Sequence, residues 1–272
     1  MKTIIVATDF SPAAQNAAHY AAQMALAIDA NLLLLHVYEI PIAYMEVLVM
    51  TTEYEMRKNA EDRLTNLKEE LATATGFKLT IETEAVIGTF FTELIAICEK
   101  VNPYTVVMGS QGTTAAERLL FGSHTVHAMK HLDWPLISVP PHVKFSAIKK
   151  IGLACDFDKV MDSTPVDEIK ILVKDFNAEL HVLNTGKQKE FNQNIIFESR
   201  ILQEMLSELK PSYHFTSNYN TDEGIMDFSE RNLLDLLLVL PKRHGLIDRL
   251  LHKSHTKELV LHSHVPVMAL HQ

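Results

Sequence analysis

The chain has 272 residues, enough for one large or two ordinary domains, and its 47% hydrophobic content is enough to build their cores. Its 25 Lys and Arg against 34 Asp and Glu give a net charge of −9, which argues against nucleic acid or an anionic membrane surface as the main partner. Cys98 and Cys155 stand in apolar surroundings and indicate buried free thiols rather than a disulfide framework. Because there is no signal-peptide core and no apolar run of membrane-spanning length, we expect a cytoplasmic protein.

The beginning of the sequence reappears near its middle. The stretch "KTIIVATDFS" at residues 2–11 is echoed by "KKIGLACDFD" at residues 149–158, so that Asp9 and Asp156 stand 147 residues apart. Each stretch is a short apolar run followed by Asp-Phe, which is typical of a strand leading into a turn. The likeness indicates that a strand and the turn after it occur twice in the chain.

A later pair of stretches repeats at a different spacing. The stretch "RLLFGSHT" at residues 118–125 is echoed by "RLLHKSHT" at residues 249–256, which is 131 residues further on. The second copy therefore lacks 16 residues in its middle. Copies of this length are domains rather than solenoid repeats, and they predict two domains at 1–142 and 147–272.

The predicted elements alternate between strand and helix in both copies. Ser11 as a helix cap, followed by Pro12, is a strong signal for a helix start. In chain order the first copy gives strand 3–8, a helix from Ser11, strand 31–37, helix 52–74, strand 78–86, helix 88–101, strand 104–109, helix 123–131 and strand 135–139. The second copy gives strands near 150–155, 179–183, 213–218, 235–240 and 266–270, with its second helix at about 189–209. This order predicts an α/β fold with a doubly wound parallel sheet in each domain and ligands beyond the carboxyl ends of the strands.

The segment "VVMGSQGTTAAERLLFGSHT", residues 106–125, lies at that edge in the first copy. Gly109 ends the fourth strand and allows close backbone approach, and Gly122 precedes the fourth helix. The backbone N–H groups of residues 123–125 open this helix and make an anion site without basic side chains. Asp9, at the end of the first strand, can accept a hydrogen bond from a ribose hydroxyl or hold a metal ion.

The spacing Gly109-x2-Gly112-x9-Gly122-Ser123 resembles the signature G-x2-G-x9-G-[ST] of the ATP-binding universal stress proteins. The resemblance extends to "IIVATDFS", "LLLLHV", "VVMGSQG" and "WPLISVP", and more weakly to the second copy. It implies two tandem five-stranded domains of the adenine nucleotide alpha hydrolase-like type, with strand order 3-2-1-4-5. It also implies an internal pseudo-dimer, in which the fifth strands "PLISV" and "PVMAL" pair in antiparallel fashion.

The same resemblance implies a set of nucleotide-binding residues. The adenosine side would be lined by Ala7, Asp9 and Val37, the base and ribose side by Met108 and Gly109, and the phosphates with Mg²⁺ by Gly112, Gly122, Ser123, His124 and Thr125. The expected cofactors are therefore ATP and Mg²⁺, and Asp9 is the candidate ligand of the metal.

The second copy departs from this pattern at each glycine. Leu240, Arg243 and Lys253 replace Gly109, Gly112 and Gly122, while Ser254 and Thr256 persist. Side chains now stand where the backbone should meet phosphate, so we expect the second domain to be a structural partner that does not bind ATP in the usual way. An alternative is a different anion held by Lys242, Arg243 and Lys253.

These features favour a regulatory ATP-binding protein of the stress response over an enzyme. The loop has no G-x4-G-K-[ST] lysine and no obvious general base, which argues against phosphoryl transfer. A slow ATPase or phosphotransferase is the alternative, and a third hypothesis is a member that binds another metabolite or only protein. An unknown regulatory protein partner and a homodimer of the tandem chain are further expectations. His252 and His255 could hold zinc, although ordinary surface histidines are the simpler interpretation.

Overall fold

The computed structural model describes residues 1–39, 49–110, 124–185, 193–216, 220–241 and 255–271. By its contacts the chain divides into two compact units. The first comprises 1–124 with 141–146, and the second comprises 125–140 with 147–272. The domain boundaries 1–142 and 147–272 are inferred from sequence similarity, whereas the two units are defined by spatial contacts. The boundaries therefore stay a prediction.

The first unit is built on a parallel sheet. Its elements are β1 (Thr3–Ala7), α1 (Pro12–Ala27), β2 (Asn31–Tyr38), α2 (Val49–Ala74), β3 (Ile81–Ile87), α3 (Phe90–Val101) and β4 (Thr105–Gly109). The strands are hydrogen-bonded in the order β3-β2-β1-β4, and all three pairings are parallel. This is the order predicted for the first four strands of a doubly wound domain.

Local sequence explains why α1 and β2 form where they do. The Ser11 Oγ accepts a hydrogen bond from the Ala14 N–H at 3.2 Å, and Pro12 occupies the first turn, so the predicted helix start is confirmed. The alanines at 17, 18 and 21 are fully buried and allow α1 to approach the sheet closely. The four leucines 32–35 of β2 are buried as well, as expected for a strand covered on both faces.

The second unit repeats this architecture. Residues 124–131 form α4, which belongs to this unit from residue 125 onward. The elements that follow are β5 (Leu136–Val139), β6 (Lys150–Ala154), α5 (Val160–Ser163), α6 (Val166–Phe176), β7 (Glu179–Thr185), α7 (Gln193–Met205), β8 (Ser212–Thr216), α8 (Thr221–Arg231), β9 (Leu236–Val239), α9 (His255–His262) and β10 (Val267–Ala269). The order β8-β7-β6-β9-β10 is parallel throughout and is the predicted order 3-2-1-4-5.

The two fifth strands pair as predicted. β10 runs antiparallel to β5, with Ala269 opposite Leu136 and Val267 opposite Ser138. Because these backbone hydrogen bonds are part of the second unit, β5 is grouped there although it ends the first sequence copy. Each strand therefore covers an edge that would otherwise present unpaired backbone groups.

The counterpart of α1 in the second unit is interrupted. Pro165 separates α5 from α6, and Thr164 before it has an extended backbone with φ −112° and ψ 114°. A proline disfavours the helical conformation of the residue that precedes it, which explains the break at this point. The first unit has one continuous helix of 16 residues at the equivalent place.

Both cysteines are buried free thiols, as predicted. Burial raises the pKa of the Cys98 thiol to about 12, so this thiol stays protonated and poorly nucleophilic. Among the helices in the described ranges, none combines the length and the apolar character needed to cross a membrane.

Candidate functional site

The carboxyl ends of β1, β2 and β4 lie side by side at one edge of the first sheet. β1 is the central strand of the three, with Ala7 opposite Leu35 of β2 and Val6 opposite Val107 of β4. This register brings the predicted residues Ala7, Asp9, Val37, Met108 and Gly109 to the same edge. A doubly wound sheet binds its ligands at this kind of edge, next to the strand where the order reverses.

The turn after β1 fixes the Asp9 carboxylate. Its Oδ1 accepts a hydrogen bond from the Ser11 N–H at 2.9 Å, and the Phe10 N–H donates to the Thr8 Oγ1 at 3.0 Å. Phe10 lies between these residues with φ 64°, a left-handed conformation that is rare for a bulky residue. Asp9 is half-buried, so its carboxylate is held by the backbone while it stays within reach of a ligand.

His36 supports the same turn from the neighbouring strand. Its Nδ1 lies 2.7 Å from the Thr8 carbonyl oxygen, and because a carbonyl only accepts, Nδ1 carries the proton. Burial lowers the pKa of His36; the hydrogen bond to the Thr8 carbonyl raises it in part, and the smaller effects of Arg63 and Asp9 lower and raise it, respectively. The ring also packs on Phe10 with centroids 4.5 Å apart. His36 and Thr8 were not identified as site residues from the sequence, although both stand next to predicted ones.

The second unit builds the same turn with different side chains. Phe157 again has a positive φ, 53°, and its N–H donates to the Cys155 Sγ at 3.4 Å. The Asp156 Oδ1 accepts from the Asp158 N–H at 3.2 Å. The Asn184 Nδ2 donates to the Cys155 carbonyl oxygen at 2.9 Å, in the place that His36 takes in the first unit. The sequence repeat is therefore matched by a repeat of hydrogen bonds.

Gly109 is required by packing inside the first unit. A Cβ added to Gly109 would lie 2.9 Å from both the backbone carbon and the backbone oxygen of Ala13 in the first turn of α1. Backbone atoms cannot move aside cheaply, so only glycine allows β4 to end this close to α1. Leu240 stands at the equivalent position of the second unit.

The remaining predicted residues fall into two groups. His124 is exposed, with its ring edge-on to Phe90 at 5.1 Å, and Thr125 is only 1% exposed; both lie in α4. Gly112, Gly122 and Ser123 lie outside the described residues, so the phosphate part of the predicted site stays a prediction.

The predicted metal-binding role of Asp9 also stays a prediction. Across the described ranges, no three His, Cys, Asp or Glu side chains lie close enough together to hold a metal ion. Asp9 would therefore need phosphate and water oxygens to complete the shell of a Mg²⁺ ion, as is usual for this ion. His252 lies outside the described residues, and so do Lys242, Arg243 and Lys253, the possible anion ligands of the second half.

The sheet order and the carboxyl-edge turn define a doubly wound α/β protein. Residues 1–140 match the model of the universal stress protein family. The chain therefore belongs to this family. It is 27% identical over 143 residues to the universal stress protein MJ0531 of Methanocaldococcus jannaschii, an alignment that covers 51% of this chain and 81% of that protein.

Two solved structures resemble the whole chain. One is a universal stress protein from Archaeoglobus fulgidus, with a TM-score of 0.74 and 18% identity; the match covers 99% of this chain and 96% of that one. The other is PA1789 of Pseudomonas aeruginosa, a protein of unknown function, with a TM-score of 0.65, 14% identity and coverage of 100% and 92%. At these identities the likeness concerns the fold, and it extends over both units.

Proposed function

We propose that the first half of this protein binds ATP, with Mg²⁺, as a regulatory ligand. The observation that carries the proposal is the Asp9 turn, which sits at the carboxyl edge beside the last residue of β4, Gly109. Gly109 is also the first residue of the spacing Gly109-x2-Gly112-x9-Gly122-Ser123. Membership of the universal stress protein family supports the same ligand class.

The residues at this edge suit separate parts of a nucleotide. The Oδ1 of Asp9 accepts a hydrogen bond from the Ser11 N–H, and the other carboxylate oxygen would accept from a ribose hydroxyl or bind the metal ion. Val37 offers backbone groups and an apolar wall to the base. The N–H groups that follow Gly122 would hold the phosphates, because an open helix start favours negative charge.

ATP is proposed as a ligand rather than a substrate for turnover. From Gly109 to Thr125 the chain contains Arg118 and no lysine, so the cation that P-loop enzymes place on the phosphates is missing. Occupancy would instead change the surface that the first half presents to a protein partner. The slow ATPase remains the second candidate, because Asp9 can bind Mg²⁺.

The second half is proposed to be a structural partner. Leu240 replaces the glycine that packs on α1, and the helix that corresponds to α1 is broken between Ser163 and Val166. The Asp156 turn is present, but the backbone cradle that would hold a nucleotide beside it is not encoded. The second half therefore keeps the fold and the antiparallel pairing of β10 with β5 but lacks the glycines of the nucleotide signature.

Mass spectrometry of the small molecules that co-purify with the untagged full chain tests the proposed ligand. We expect ATP or a product of it at about one molecule per chain, and loss of it in Asp9→Ala because the ribose or metal contact disappears. Incubation of the loaded protein with Mg²⁺, followed by measurement of ADP, separates a ligand from a substrate. If the purified protein contains no ligand and does not bind added ATP, the result would favour the hypothesis that this protein binds another metabolite or only protein.

A further inference from the structure

Two histidines stand together on the exposed side of α4, outside the contacts described for the candidate nucleotide site. His127 and His131 are both exposed and are four residues apart, so they lie on the same face on successive turns of the helix. Their ring centroids are 4.6 Å apart, with an angle of 45° between the ring planes. The helix therefore already holds the two imidazoles next to each other.

The distance between the rings is compatible with a shared metal ion. With metal–nitrogen bonds of about 2 Å and an angle of about 90–110° at the ion, two imidazole centres would be about 4.5–5 Å apart. The observed 4.6 Å falls within this range without any movement of the backbone. Histidines at this spacing on one helix face supply two zinc ligands in the H-E-x-x-H motif of metalloproteases, for the same geometric reason.

We propose that His127 and His131 form a binding site for a divalent transition-metal ion of the zinc class. Two nitrogens come from the protein and water fills the other positions, because no third His, Cys, Asp or Glu side chain joins the pair in the part of the chain that the structure describes. Such a site is open and exchangeable, unlike a structural zinc site with four protein ligands. Neutral imidazole prefers Zn²⁺, Cu²⁺ or Ni²⁺ to Mg²⁺, so the site is independent of the proposed Mg²⁺·ATP site.

The third histidine of α4 does not belong to the pair. His124 precedes His127 by one turn, but its ring lies edge-on against Phe90 of α3 at 5.1 Å. Its imidazole is thus engaged by a different element. The assignment to two residues, rather than to every histidine of this helix, makes the proposal specific.

Isothermal titration of the full chain with ZnCl₂, at pH 7.5 and without an affinity tag, tests the site. We expect one zinc ion per chain in this binding step, with the affinity lowered at least about tenfold in His127→Gln and in His131→Gln and the step lost in the double variant. His142→Gln removes an exposed histidine outside the helices and is expected to leave the titration unchanged. The proposal would be overturned if the double variant bound zinc as the wild type does, or if the wild type bound no zinc.

Thermal unfolding gives a second and independent readout. A ligand that binds only the folded chain raises its melting temperature by mass action. Zinc should therefore raise the melting temperature of the wild type and of His142→Gln more than that of the double variant. Equal shifts in all three proteins would place the bound zinc elsewhere and contradict the assignment. Circular dichroism without zinc checks that the double variant is folded.

Discussion

His36 and Asn184 occupy equivalent positions in the two units, and each donates a hydrogen bond to the backbone carbonyl that follows the first strand of its unit. The His36 Nδ1 lies 2.7 Å from the Thr8 oxygen, and the Asn184 Nδ2 lies 2.9 Å from the Cys155 oxygen. The geometry is shared, but only the first unit uses a group that titrates near neutral pH. The stability of the two units should therefore depend differently on pH.

Replacement of His36 by Asn should reduce the loss of stability on acidification. Because the pKa of His36 is lowered in the folded chain, the unfolded chain binds more protons as the pH falls below about 6.5, and stability falls with it. His36→Asn keeps a donor for the Thr8 oxygen and removes the titrating ring, at a cost of about 1–2 kcal/mol at pH 7.5 from lost contact with Phe10. Urea unfolding of both proteins at pH 7.5 and pH 5 measures the difference.

The matched control for this experiment is His142→Asn, which removes an exposed histidine. We expect its loss of stability between the two pH values to equal that of the wild type. If His36→Asn also behaves as the wild type does, then protonation of His36 does not contribute to acid sensitivity and the proposed cause is wrong.

Glycine should be tolerated better than alanine at Phe10. Both changes remove a buried ring that packs on His36 and lies under the Arg63 guanidinium, whose carbon is 4.1 Å from the ring centre. Phe10→Gly relieves the backbone strain at φ 64°, so it should be about 1 kcal/mol more stable than Phe10→Ala. Chemical unfolding ranks the two variants. Phe157, with φ 53°, should give the same ranking, and alanine equal to or better than glycine at both sites would contradict this explanation.

Thr164→Val should stabilise the second unit. The Thr164 hydroxyl is buried and has no hydrogen-bond partner among the described residues, and its extended backbone suits a β-branched residue. Replacing the hydroxyl by a methyl group removes an unsatisfied polar group and should add about 1 kcal/mol of stability. Thr75→Val is the matched control, because the buried Thr75 hydroxyl donates to the Leu71 oxygen at 2.8 Å and its loss should destabilise by a similar amount. Thermal unfolding measures the stability of both variants. A change of the same sign in the two would contradict this explanation.

Much of the fold follows from residue patterns. The leucine run of β2 and the Ser11-Pro12 helix start predict their elements because burial on both faces and helix capping are local effects. The helix break at Pro165 also has a local cause, because a proline disfavours the helical conformation of the residue before it. The similarity of the two copies at their first strands nevertheless does not predict this break. The left-handed backbone conformation of Phe10 cannot be predicted from the sequence, because this conformation is normally adopted by Gly, Asn or Asp. Tertiary packing enforces it here.

The site was predictable to a smaller degree. The positions of Asp9 and Gly109 at strand ends could be predicted from the sequence, but the contact with Ala13 that requires a glycine at 109 could not. His36 was missed because a single histidine beside a strand end has no pattern of its own. Its role depends on a hydrogen bond to Thr8, 28 residues away in the chain.

The stoichiometry of ATP binding by the full chain is the most direct test of the central claim. Titration with Mg²⁺·ATP should give one site per chain, and Gly122→Lys, which introduces the residue that the second half carries as Lys253, should abolish it. The full chain is used because β10 of the second unit pairs with β5, which an isolated second half would lack. Lys253→Gly, the reverse change, should leave one site. Two sites in the wild type, or unchanged binding by Gly122→Lys, would contradict the assignment of nucleotide binding to the first half.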